Sequence, residues 1–397
     1  MIKRSMLAGL LFRTLTLAIY GAPVTLKEAF KEDFLIGAAL NPSQFCESNQ
    51  VEAAIVKTQF NSITPENVLK WEMIHPRLGR YDFTLADKFV AFGVTNNMFI
   101  VGHTLIWHSQ TPAWVFQGKG GKPATREVLL QRMRKHIFTV VGRYKGKAKG
   151  WDVVNEAIDG DGSIRNSPWR KIIGDDFIEQ AFRFAHEADP AAELYYNDYG
   201  LENPAKRAGA LSMLKNLQAK GIKISGVGIQ GHYQLASDVP SAEEFSRTIS
   251  DFADLGIKVM VTELDVDVLP SAWETLNADV NFRKQAGKEY NPYTNGLPGA
   301  VQTQLAGRYA ELFGVMLKHR KTVTRVTLWG VTDGNSWLND WPVQGRTSHP
   351  LLFDREGKAK AAFYSVLALT QTNRISRVES ATNHSMMWTQ KQPIMAR

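Results

Sequence analysis

Cysteine is almost missing from this chain: Cys46 stands alone among 397 residues. That excludes an intramolecular disulfide and any zinc site built on several thiolates. Histidine is scarce as well, nine in all, and none are arranged as His-x-His. A metal-dependent barrel hydrolase wants several imidazoles converging, often with such a pair on its first strand. Here the first strand-like run ends in Ala38-Ala-Leu-Asn-Pro, so His103, His108, His232 and Asp333 make a poor ligand set. The same run has no Gly-rich phosphate turn after it, which argues against an open nucleotide-binding sheet. Tandem repeats and Pro- or Ser-rich linkers are lacking. So are long apolar runs, and no stretch qualifies as a membrane span.

Net charge gives little more. The formal value is +8, but residues 1–22 hold Lys3, Arg4 and Arg13 without an acid, and residues 371–397 hold four cations against Glu379. The two ends thus carry six of the eight charges, and a nucleic-acid partner loses its electrostatic basis. The basic start followed by an apolar run resembles a secretory signal. Arg13 interrupts that run and no clean Ala-x-Ala site follows. On this reading the protein is secreted or periplasmic. Residues 371–397 are polar and lack periodicity, as in a disordered tail.

What is plentiful is apolar residue, at 44%, and aromatic residue, with ten Trp and eleven Tyr. From Phe34 onward, apolar strand-like runs alternate with amphipathic helical stretches. The strand candidates are Phe34–Leu40, Phe60–Pro65, Met98–Leu105, Gly150–Asn155, Ala192–Asn197, Ile224–Gln230, Lys258–Glu263 and Val323–Gly330. Helical patterns cover Thr125–Val141, Asp176–Ala188, Ala205–Lys220, Ala242–Leu255 and Gln302–Lys318, among others. Alternation of this kind means a parallel sheet, and eight units predict an α/β fold, a single (β/α)8 TIM barrel spanning residues 23–370. Residues 267–300 form a long irregular insert after the seventh strand, which places it at the catalytic rim.

Polar and aromatic residues gather at the C-terminal ends of these strands, where barrel enzymes keep their chemistry. Two strands end in glutamate: Glu156 beside Asn155, and Glu263 two residues before Asp265. Two glutamates facing one gap are the minimum for cleaving an acetal. One protonates the leaving oxygen, and the other stabilises or attacks the cationic sugar carbon. A carboxyl separation of about 5–5.5 Å gives retention of configuration, and one of about 6.5–9.5 Å gives inversion. The residues alone leave that choice open. Asn155 is placed to reach a ring hydroxyl. His232 and Asp265 are suited to keeping Glu263 ionised, whereas Glu156 needs a raised pKa to act as an acid. Sugar rings also need aromatic faces and polar edges. Trp107, Trp329, Trp337 and Tyr199 supply faces; Glu66, Asn67, Lys70, His103, Gln110 and Gln230 supply edges. Trp71 and Trp151 lie closer to strand interiors or helix starts and are assigned to packing.

Taken together, these stretches resemble the family 10 glycoside hydrolases, an endo-β-1,4-xylanase family. The likeness runs from about Phe34 to Leu369. It is carried in order by Asn61-Ser-Ile-Thr-Pro-Glu-Asn-Val-Leu-Lys-Trp, Gly102-His-Thr-Leu-Ile-Trp-His-Ser-Gln-Thr-Pro-x-Trp, Trp151-Asp-Val-Val-Asn-Glu-Ala, Tyr196-Asn-Asp-Tyr, Gly228-Ile-Gln-Gly-His-Tyr, Val261-Thr-Glu-Leu-Asp-Val and Leu328-Trp-Gly-Val-Thr-Asp-Gly-Asn-Ser-Trp. The resemblance implies a retaining mechanism with Glu263 as nucleophile and Glu156 as acid/base. It implies that Asn155 touches the 2-hydroxyl of the cleaved sugar and that His232 and Asp265 support the nucleophile. Glu66, Asn67, Lys70 and Gln110 match glycone-side binders. His103, Trp107, Trp329 and Trp337 match the walls around the cleaved sugar, and Tyr199 and Gln230 match the leaving-group side. It implies xylan and xylo-oligosaccharides as substrates, a monomer, no metal and no cofactor. Two rivals keep the barrel: a β-1,4-glucan or mixed-linkage glucan hydrolase, and a non-catalytic xylan-binding barrel.

Overall fold

In the computed structural model, residues 24–237, 239–271, 284–285 and 287–370 are described. The proposed signal at 1–22, the tail at 371–397 and the middle of the 267–300 insert lie outside the described residues. Eight strands run in order: β1 Leu35–Leu40, β2 Ser62–Pro65, β3 Phe99–Gly102, β4 Ala148–Asn155, β5 Glu193–Asp198, β6 Gly226–Ile229, β7 Lys258–Asp267 and β8 Val323–Leu328. Each pairs in parallel with the next, and β8 pairs both with β7 and back onto β1. The sheet is therefore closed, and the predicted (β/α)8 barrel is the observed fold.

Each strand is buried along nearly its whole length, which explains why the runs read as continuously apolar rather than alternating. Side chains lining the closed sheet and its covering helices form one dominant core. The helices begin where the sequence offers caps. Thr125 caps Arg126–Arg143 through the N–H of Val128. Asn203, with Pro204 at the first turn, caps Pro204–Ala219. Ser241 and Glu244 form a reciprocal box before Ala242–Ala253. These starts agree with the expected helices to within a residue, and the last helix begins earlier than expected, spanning Gly299–Lys318.

The largest departure is β7, which runs on to Asp267 instead of stopping at Glu263. The short strand His232–Gln234 supplies the reason: it pairs with Asp265, Val266 and Asp267 and carries the ladder beyond the barrel rim. Of the insert that follows, residues 287–298 lie against the loop after β8. Asn291 accepts from the Thr347 N–H at 2.9 Å, and the Tyr293 carbonyl lies 3.2 Å from Nε2 of His349. Close packing inside the barrel also uses glycine. A Cβ on Gly102 would lie 2.1 Å from the Trp151 ring, so the indole fills the space that Gly102 leaves.

Candidate active site

The C-terminal ends of β2 to β8 meet at one mouth of the barrel. Glu156 follows the last residue of β4 and holds φ at +58°, a left-handed conformation unusual for a side chain of its size. Strained backbone of this kind persists only where neighbours over-determine it. Here the Glu156 N–H donates to the Asn197 carbonyl at 2.9 Å, and the Glu156 carbonyl accepts from Nε of Arg165 at 2.8 Å. The carboxylate itself accepts from the Trp107 indole at 2.9 Å, the Gln230 amide at 3.0 Å and the Asn155 amide at 3.3 Å.

Glu263 stands on β7 in different company. His232 Nε2 is 3.2 Å from Oε2, and Asn197 Nδ2 donates to Oε1 at 2.8 Å. The other ring nitrogen of His232 lies 3.0 Å from Asp265, whose second oxygen accepts from the Trp337 indole at 2.7 Å. Burial opposes the charge on His232, but the carboxylates of Asp265 and Glu263 outweigh it and raise its pKa to about 10. Both ring nitrogens then donate. Burial likewise pushes the Glu263 carboxyl up. The hydrogen bond from His232, the imidazoles of His103 and His232, and the Asn197 amide more than reverse this and hold it below its ordinary range.

Asn155 and Asn197 link the two carboxylates. Asn197 Nδ2 donates both to Glu263 and, at 2.9 Å, to Oδ1 of Asn155, while its own Oδ1 accepts from Thr262 at 2.6 Å. With Oδ1 engaged, Asn155 presents its Nδ2 to Glu156 and to the mouth of the barrel.

On one flank, Lys70 donates to Asn67 at 3.0 Å and to Gln110 at 2.7 Å, and its ammonium lies 4.9 Å from the Trp107 ring centre. Gln110 also donates to Glu72 at 3.0 Å. Burial lowers the Lys70 pKa, and the charges of Glu263, Glu66, Glu156 and Glu72 partly restore it. Glu66 rises to about 7, chiefly through burial, against the opposing charge of Lys70. His103 is buried, with Nδ1 2.9 Å from Asp152, and its ring meets the Trp329 ring edge-on at 5.4 Å. Trp337 packs 4.8 Å from His232 on one side and stacks on Trp341 at 4.8 Å on the other.

All fifteen residues selected from the sequence thus fall in or around this mouth. Two have a different character from the one expected. Trp107 offers its N–H to Glu156 as well as a ring face. Tyr199 has one face occupied by the Lys206 ammonium, 3.4 Å from the ring centre, and its hydroxyl accepts from Arg165 at 3.0 Å. Trp71 and Trp151 are buried in packing roles, as expected; Trp71 lies flat on His136 at 3.7 Å. Asp333 is turned into the protein, paired with Lys360 at 2.8 Å. Among the described residues no group of three or more His, Cys, Asp or Glu is arranged to hold a metal ion. Asn197, Asp152, Thr262, Arg165 and Trp341 were not selected from the sequence. Asn197 stood at a predicted strand end and within the Tyr196-Asn-Asp-Tyr motif, and those were its signals.

A closed parallel barrel with two unlike carboxyls among indoles and amides at its C-terminal mouth defines a glycoside hydrolase. Comparison narrows the class. The sequence profile of glycosyl hydrolase family 10 matches residues 25–369, and the chain belongs to that family. It is 46% identical to "Endo-1,4-beta-xylanase A" of Xylanibacter ruminicola over 345 residues, covering 87% of this chain and 93% of that protein. It is 44% identical to "Beta-1,4-xylanase" of Dictyoglomus thermophilum, over 86% of this chain and 90% of the relative. Among solved structures, a GH10 endoxylanase retrieved from a sugarcane soil metagenome superposes with a TM-score of 0.83 at 46% identity, over 87% of this chain and 99% of the other.

Proposed function

We propose that this chain, an endo-1,4-β-xylanase by its family and relatives, cuts the xylan backbone by a retaining double displacement. Glu263 is the nucleophile and Glu156 the acid and base. The observation that carries this reading is the unlike surroundings of the two carboxyls. Glu263 faces a cation, His232, and is held ionised. The Glu156 carboxyl accepts hydrogen bonds only from neutral donors, Trp107, Gln230 and Asn155. In the first step Glu156 gives its proton to the glycosidic oxygen while a Glu263 oxygen bonds to the anomeric carbon, and the leaving chain departs as an alcohol. In the second, Glu156 takes a proton from water, the water oxygen bonds to the same carbon, and Glu263 leaves as carboxylate. Every proton and electron pair moves between substrate, water and these two side chains.

The remaining residues bind. Asn155 offers Nδ2 to the 2-hydroxyl. His103, Trp107, Trp329 and Trp337 wall the cleaved sugar. Glu66, Asn67, Lys70 and Gln110 take the glycone side, and Gln230 and Tyr199 the leaving-group side. The catalytic unit spans residues 23–370 and acts as a monomer. Xylan is too large to cross a membrane, so an enzyme acting on the polymer is secreted, or periplasmic where short xylo-oligosaccharides are its substrate, with residues 1–22 as its signal. Among the described residues no helix is long and apolar enough to cross a membrane.

The test follows the first-formed product of xylo-oligosaccharide hydrolysis by proton NMR. Initial release of the β-anomer is expected, and initial α-anomer would overturn double displacement. Glu263→Ala should abolish turnover of every substrate. Glu156→Ala should slow xylan far more than the first step on an aryl xylobioside with a good leaving group.

A further inference from the structure

The loop that follows Glu156 doubles back as a hairpin, with a bridge between Ile158 and Ile164 and the Arg165 N–H donating to the Ala157 carbonyl at 2.7 Å. It is seated on the helix Pro204–Ala219 by backbone contact. A Cβ on Gly209 would lie 2.0 Å from the Gly162 carbonyl oxygen, so only glycine lets loop and helix meet here. The hairpin returns one side chain, Arg165, to the residue it started from.

Arg165 is mostly buried, and its planar fork is divided among three acceptors. Nε donates to the Glu156 carbonyl at 2.8 Å, one terminal nitrogen donates to the Tyr199 hydroxyl at 3.0 Å, and the other pairs with Asp159 at 3.0 Å. Tyr199 is fixed from beneath as well, because Lys206 lies under its ring and pairs with buried Asp198 at 2.8 Å. The next two N–H groups after Glu156 are also held. That of Ala157 donates to the Tyr196 hydroxyl at 3.1 Å, and that of Ile158 to Asp198 at 3.4 Å. Among these contacts the one to the Glu156 carbonyl is the only one made by a side chain to Glu156's own backbone. A left-handed residue relaxes by rotating its peptide planes, and a guanidinium fastened to its carbonyl resists that rotation.

We infer that Arg165 is a positioning residue for the acid/base: it locks the left-handed backbone of Glu156 and so aims the carboxyl at the glycosidic oxygen, while tying it to Tyr199 on the leaving-group side. This rests on the reading of Glu156 as acid/base. Loss of Arg165 is felt where a proton must be delivered and spared where the leaving group departs unaided.

The experiment measures kcat/KM, which reports the first step, for aryl β-xylobiosides from 2,4-dinitrophenyl to phenyl, together with xylan. Arg165→Ala, Arg165→Lys and Glu156→Ala are compared with the parent. Arg165→Ala is expected to lose about 10- to 100-fold on xylan and the phenyl glycoside and no more than about threefold on the dinitrophenyl glycoside, a steeper leaving-group dependence. Arg165→Lys should lie between, since an ammonium cannot span the same acceptors, and it carries the test should the alanine variant fail to fold. Equal losses across the series for Arg165→Ala, or no loss at all, would overturn the inference. If Glu156→Ala itself loses equally across the series, it is the acid/base reading that fails.

Discussion

Trp107 donates its indole N–H to Oε2 of Glu156 at 2.9 Å, across the gap between the loop after β3 and the end of β4. The same ring lies beneath the Lys70 ammonium. One side chain therefore touches both the proposed acid and the cation of the proposed glycone side. Trp107→Phe keeps an aromatic face and removes the donor. Turnover of xylan should fall about tenfold, the worth of one hydrogen bond to the carboxylate that forms as the proton leaves, with a smaller change in KM. Steady-state kinetics on xylan and xylotriose check this.

His232 gives a pH-dependent prediction. Its charge helps to hold Glu263 below the ordinary carboxylate range, and an ionised Glu263 is what the proposed attack requires. Replacing it by Gln leaves only His103 and Asn197 against burial, so the Glu263 pKa must rise. The acidic limb of the kcat/KM profile should move to higher pH by about one unit or more. Stability responds on the other side. The folded pKa of about 10 lies above the ordinary value of about 6.5. The stabilisation is complete below about pH 6.5 and is lost as pH rises toward 10. The melting temperature of His232→Gln should therefore decline less over that window than the parent's.

Lys70 is the donor that joins Asn67 to Gln110. Lys70→Ala should raise KM for xylotriose by about tenfold or more and shift product lengths, with the leaving-group dependence unchanged. A time course of xylohexaose digestion reads both effects.

Behind that flank, His75 and His136 are stacked with Trp71 and Tyr81. Burial lowers the His75 pKa to about 4 and holds that of His136 well below its ordinary value. The unfolded chain takes up protons on these rings near pH 6.5, before the folded one does. Stability is thus full above that pH and falls as pH drops toward 4. His136→Phe, which keeps the stack, should show a smaller loss of melting temperature between pH 6.5 and 4.

The Trp337 wall is clamped by Asp265 and backed by Trp341. A wall held on two sides should exclude the hydroxymethyl group that glucose has and xylose lacks. Digestion of unbranched xylan beside a soluble β-1,4-glucan should give short products from xylan and little from glucan. Trp341→Ala should raise the glucan share.

The strands were legible because each is buried on both faces, so an apolar run bounded by polar residues marks strand and direction together. The site was legible for the same reason: Glu156 and Glu263 are polar residues that end such runs. What escaped was everything that depends on a third element. The extension of β7 to Asp267 needs His232–Gln234 beside it. The part played by Asn197 emerges only when β4, β5 and β7 are neighbours. The occupied face of Tyr199 depends on Lys206, which arrives from a helix. Trp107 was visible as a ring, but the direction of its N–H is set by chain that lies forty-nine residues away.

Because β8 bonds to β1 as well as to β7, the ring is completed by the last barrel strand to leave the ribosome. A nascent chain that has not yet reached Val323 holds a seven-stranded sheet with two bare edges, β1 and β7, each open to another chain. Glu263, the proposed nucleophile, sits on one of those edges. Catalytic competence and protection from aggregation should therefore arrive together, late in synthesis, when a segment about 290 residues distant in sequence finds Leu35–Leu40.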